Sequence, residues 1–90
     1  MGKERVLFKS EERKDRQSVV SFFHQLADKL LDGEITFRQG TEELTVVVSD
    51  SVILEVKVEE EDKKGRTQHS IEVEIEWIEG DESGGALTLG

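Results

Sequence analysis

The sequence predicts an α+β fold: one amphipathic helix packed on a four-stranded antiparallel meander, with an extra short N-terminal strand as an open question. Three observations lead there. Between residues 19 and 31 apolar side chains recur at spacings of three and four, the period of a helix with one dry face. After Gly33 the period becomes two, most plainly in I-E-V-E-I-E-W from Ile71 to Trp77. Short polar or glycine-bearing loops separate these alternating runs at spacings that place apolar residues opposite apolar residues.

The helix is expected over about residues 16–31. Asp15 is the candidate N-cap, because its carboxylate can accept the free N–H groups of the first turn. Gly33 suits the left-handed conformation that ends a helix. Val19, Phe22, Phe23, Leu26, Ala27, Leu30 and Leu31 make the apolar face between them. Before the helix, V-L-F-K at residues 6–9 reads as a weak first strand, followed by a charged connector.

Four strands are expected over about residues 34–39, 43–48, 52–60 and 67–78. Gly40-Thr41 forms a two-residue hairpin loop with glycine first, which sets Phe37 against Leu44 and Ile35 against Val46. Ser49-Asp50-Ser51 forms a polar loop that sets Val48 against Val52 and Val46 against Leu54. Lys64-Gly65 closes the last hairpin, with Val58 against Ile71, Val56 against Val73, Leu54 against Ile75 and Val52 against Trp77. A slip of one residue would turn a whole strand inside out, so agreement between three loops is a strong constraint. Residues 1–79 form a single domain in this reading. Residues 80–90, with Gly80, Gly84, Gly85 and Gly90 among small polar residues, are expected to be a flexible tail.

Composition narrows the function classes. The 90 residues carry 21 acids and 12 bases, for a net charge of −9. Nucleic-acid backbones and anionic membranes call for clustered bases, so neither is an expected partner. There is no cysteine, so a core without disulfides is expected. The first eight residues do not read as a signal peptide, and no apolar run is long enough to span a bilayer. A cytoplasmic setting is the expectation. The chain has no proline, so no slow prolyl isomerisation step is expected in folding.

The acidic side of the strands is the feature that asks for a purpose. Glu55, Glu59, Glu72, Glu74 and Glu76 share it, with Lys57 among them. In the expected register Glu55 stands opposite Glu74, a like-charge pair, and Lys57 stands opposite Glu72. Three readings compete: a solvated face, a docking surface for a basic partner, and a divalent-cation site. Charge runs are most often solvated, and charged strands resist edge-to-edge aggregation. Calcium wants six to eight oxygens converging from a loop, which a flat face does not offer. On the same side Val47 is expected opposite Ile53, with Ile78 near that end. Those three are either scattered surface aliphatics or the apolar centre of an interface. Trp77 shares parity with Ile75 and Val73, which makes it a core residue before it is a stacking platform.

Catalytic constellations do not assemble. His24 and His69 lack metal-ligand spacing, and a zinc site needs three or four convergent ligands. Without cysteine or a strained nucleophile turn, no nucleophile–base pair can be built. The pair Gly84-Gly85 has no helix after it and is not a phosphate loop. Lys63, Lys64 and Arg66 cluster at a hairpin tip, where three bases are ordinarily solvated, although they could reach a phosphate or an acidic partner.

The opening V-L-F-K-S-E-E, the segment F-H-Q-L-A-D-K-L-L-D-G-E and the strand closing on E-I-E-W together resemble the amphi-Trp domain family. The resemblance covers roughly residues 6–77. It implies a small prokaryotic domain, found alone or joined to others, and points to no particular reaction and no catalytic residues, since the family has no established activity. The segment K-D-R-Q-S at the helix start departs from the more usual Ser- or Thr-led cap.

Residues and resemblance together give the expectation of a non-catalytic domain for protein interaction or weak homodimerisation, with no cofactor and no metal. Val47, Ile53 and Ile78 would form the apolar centre of its interface, and Glu55, Glu74 and Glu76 the charged rim. The alternatives are a ligand- or divalent-cation-binding module on the acidic face, and an acidic decoy for a basic protein.

Overall fold

A computed structural model describes residues 2–79. The tail expected at residues 80–90 lies outside the described residues. The fold is α+β: helix α1 (Arg16–Asp32) and strands β1 (Glu34–Gln39), β2 (Glu42–Val47), β3 (Ile53–Lys63) and β4 (Arg66–Glu76). The strands form two two-stranded antiparallel sheets, β1–β2 and β3–β4. The chain divides after Val48 into two units, which are described in turn.

In the first unit, Asp15 caps α1 as its sequence suggests. Its backbone is extended, and its Oδ1 accepts the Ser18 N–H at 2.8 Å. Gly33 ends the helix with φ at 81°, donating its N–H to the carbonyls of Leu30 and Lys29. A side chain there would be strained, which is why glycine stands at this position. The chain then turns directly into β1, and Val48 N–H donates to the Gly33 carbonyl at 2.9 Å.

The β1–β2 hairpin has the expected register, with Ile35 opposite Val46 and Phe37 opposite Leu44. Gly40 has φ at 60°, as the first position of its two-residue loop requires. On the polar side Thr36 and Thr45 share a hydroxyl hydrogen bond of 2.9 Å, and Arg38 meets Glu43 at 2.8 Å. Helix α1 packs on β1. Ile35 is the buried centre of this contact, with Leu26, Leu30, Phe37, Leu44 and Val46 partly covered.

No strand forms at residues 6–9. Phe8 instead sets its ring 5.7 Å from that of Phe37, so the segment is held by one aromatic contact rather than a hydrogen-bond ladder. Val6 and Leu7 stay exposed.

In the second unit, β3 and β4 pair over eleven residues each, longer than the apolar pattern suggests. Leu54, Val56 and Val58 face Ile75, Val73 and Ile71, as expected. Beyond them the same side turns polar, with Glu60 opposite His69 and Asp62 opposite Thr67. The turn Lys64-Gly65 has positive φ at both residues, 49° and 81°, the geometry that matches the twist of a tight hairpin.

Two details differ from the sequence expectation. The pairs Val48–Val52 and Val46–Leu54 belong to neither ladder, and Val47 is paired with Glu34 while Ile53 is paired with Glu76. Around the intervening loop, Ser51 N–H donates to Ser49 Oγ at 3.3 Å, a local bond that competes with hairpin pairing. The last strand also ends at Glu76 rather than 78. Because β3 begins at Ile53, Glu76 is the last residue with a partner, and Val52, Trp77 and Ile78 lie just past the ladder.

Candidate interaction surface

Strand alternation sorts the β3–β4 hairpin into two sides. One carries Ile53, Glu55, Lys57, Glu59, Glu61 and Lys63 on β3. Their partners on β4 are Glu76, Glu74, Glu72, Ser70, Gln68 and Arg66. This is the acidic side, and it is longer than the apolar pattern revealed. Residues 61–63 and 66–68 carry no apolar alternation, so only their parity with Lys57 and Glu72 could have placed them here.

Charge is unevenly satisfied along this side. Lys57 Nζ lies 3.2 Å from Glu72 and 3.5 Å from Glu59. Hydrogen bonding to Glu72 and the charge of Glu59 together hold the lysine above its ordinary pKa. Lys63 reaches Glu61 only at 4.0 Å. Glu55 and Glu74 face each other across the strands, and so do Lys63 and Arg66. Among the described residues, Glu55, Glu74, Glu76 and Arg66 form no ion pair within 4.0 Å.

The apolar candidates are all exposed: Val47 at 68%, Ile53 at 62% and Ile78 at 72%. Val47 belongs to β2 in the first unit. Ile53, Glu76 and Ile78 come together at the open end of the second hairpin. With Ser51, Val52 and Trp77 they line a shallow depression of about 340 Å³. Val52 and Trp77 join this surface although the sequence reading placed them with the core. The ladder stops one residue short of them and so does not fix their side.

His69 Nδ1 stands 3.7 Å from Glu60 on the opposite side of the hairpin. Among the described residues no three His, Cys, Asp or Glu side chains are placed to hold a metal ion. No described helix is long and apolar enough to cross a membrane.

A single helix followed by amphipathic antiparallel hairpins, the last running into a tryptophan, defines a small α+β domain whose strands are sharply two-sided. The family model of the Amphi-Trp domain matches residues 1–90, and the chain belongs to that family. No curated protein and no solved structure matches it.

Proposed function

We propose that this domain works by protein association, with a second copy of itself or with another protein, and has no catalytic activity of its own. The observation that carries this reading is the open end of the β3–β4 hairpin. There exposed Ile53 and Ile78 stand beside Glu55, Glu74 and Glu76, whose charges have no partner among the described residues. An apolar centre with a polar rim is the composition of a protein interface. Val47 on β2 is a further exposed aliphatic that an interface could use. The absence of cysteine and the net charge of −9 support a cytoplasmic setting and a protein partner rather than nucleic acid or membrane.

The test is molar mass by light scattering on a sizing column, together with capture of partners by the immobilised domain. Ile53→Glu and Val47→Glu are expected to reduce association while leaving the circular dichroism spectrum intact. Association that both variants leave unchanged would remove the apolar residues from the interface.

A further inference from the structure

The acidic side of the β3–β4 hairpin is complementary to itself when reversed. From the open end to the tip, β3 presents Glu55, Lys57, Glu59, Glu61 and Lys63 on this side. Read backwards, the same strand presents Lys63, Glu61, Glu59, Lys57 and Glu55. Laid antiparallel over its own copy, Glu55 meets Lys63 and Lys57 meets Glu61, each pair occurring twice. Strand β4 behaves the same way. Glu74 meets Arg66, Glu72 meets Gln68, and Ser70 meets its own copy.

We infer that two copies associate through this side of the hairpin, around a two-fold axis crossing the strands at Glu59 and Ser70. The inference rests on the self-association part of the reading above and places the contact on the acidic side of the hairpin rather than at its apolar end. The mate supplies what each copy lacks. Within one chain the Glu55–Glu74 row and the Lys63–Arg66 row are like-charge pairs, which destabilise a sheet. They lie eight residues apart on the same side, roughly 27 Å along the strand. The two-fold operation sets each row over the other, so Glu55, Glu74 and Arg66 of each copy gain a partner and Lys63 a second one. Such an isologous contact closes on itself as a dimer.

Register is specified by the pattern. Moving the axis two residues toward the tip, to the row of Glu61, sets Glu59 over Lys63 but Lys57 over residue 65, a glycine, and Glu55 beyond the turn. Moving it one residue toward the open end sets Glu55 over Glu61. Only the axis at Glu59 matches both outer rows with opposite charges. Its one mismatch is Glu59 against its own copy, and Lys57 lies 3.5 Å from that carboxylate within each chain. Facing sheets stand about 10 Å apart, a gap that long Glu, Lys and Arg side chains can bridge.

The experiment is a charge swap read by sedimentation equilibrium at about 0.1 M salt, where direct contacts persist and distant charges are largely screened. Glu55→Lys alone is expected to weaken association by at least about tenfold, and Lys63→Glu alone likewise. The double variant restores the pairing with its sense reversed and is expected to return within about twofold of the parent. Both single changes turn a like-charge row into an ion pair within the chain, so neither threatens the hairpin itself. The double variant also keeps the parent's net charge of −9, so rescue cannot come from altered overall repulsion.

A double variant as weak as the single ones would overturn the register, as would single variants that associate like the parent. If the charge variants are silent while Ile53→Glu abolishes the dimer, this surface is wrong and self-association through the apolar end stands. A chain that stays monomeric to about 1 mM overturns the dimer altogether, and partner capture then decides the remaining reading.

Discussion

At the scale of single residues, two side chains tie stability to pH in opposite directions. Asp15 accepts hydrogen bonds from Ser18 at the start of α1, which holds its carboxyl below the ordinary value. A depressed carboxyl contributes stability above its unfolded pKa, and that contribution is lost as pH falls through the folded one. Lys57 is raised by Glu72 and Glu59, so its contribution is present at neutral pH and lost as pH climbs above about 10.4. Thermal midpoints measured across pH should separate the two. Asp15→Ala should be less stable than the parent near neutrality and converge with it below about pH 4. Lys57→Met should be less stable near neutrality and converge on the alkaline side. A parent–variant gap that stays constant across either limb would show that these contacts contribute nothing through ionisation.

At the scale of elements, the two hairpins differ in how well their loops suit them. Gly40 occupies the position of its loop that needs positive φ, whereas Lys64 takes φ of 49° without being glycine or asparagine. Lys64→Asn should stabilise the β3–β4 turn by about 0.5–1 kcal/mol, read as a higher urea midpoint at unchanged slope. An unchanged midpoint would mean that the strands, not the turn, set the hairpin's stability. These turns were the most legible part of the sequence, because glycine position and side-chain parity constrain register together. Ile35–Val46 and Val56–Val73 follow from them directly. The ends of β3 and β4 were less legible. Past Val58 both sides are polar, so a reading built on apolar alternation stops at residue 60 while the backbone ladder continues to Lys63. For the same reason the acidic candidates Glu55, Glu74 and Glu76 were placed from sequence, whereas the Lys63–Arg66 row on their side was not. The segment at residues 6–9 misled in the other direction. Its apolar residues serve a ring contact through Phe8 and need no ladder.

At the scale of the whole molecule, the net charge of −9 sets the conditions under which two copies can meet. Two such chains repel at long range, and at about 0.01 M salt the screening length is roughly 30 Å, comparable with the length of the hairpin. The proposed contact holds opposite charges within a few ångströms, so it survives moderate screening. Raising salt to about 0.1 M shortens the screening length to roughly 10 Å, which suppresses the general repulsion before it weakens the paired rows. Near 1 M, roughly 3 Å, the pairs themselves are screened. The association constant should therefore pass through a maximum at intermediate salt. An interface built from Ile53 and Ile78 alone predicts a different curve, because screening removes repulsion and leaves apolar contacts in place, so association rises with salt and does not fall back. Sedimentation at five or six salt concentrations distinguishes the two shapes. In the double variant Glu55→Lys with Lys63→Glu the maximum should reappear, because the net charge and the number of opposite-charge contacts are both retained. In either single variant the maximum should be lower and flatter, because the β3 outer contacts then repel while Glu74 over Arg66 and Lys57 over Glu61 still attract.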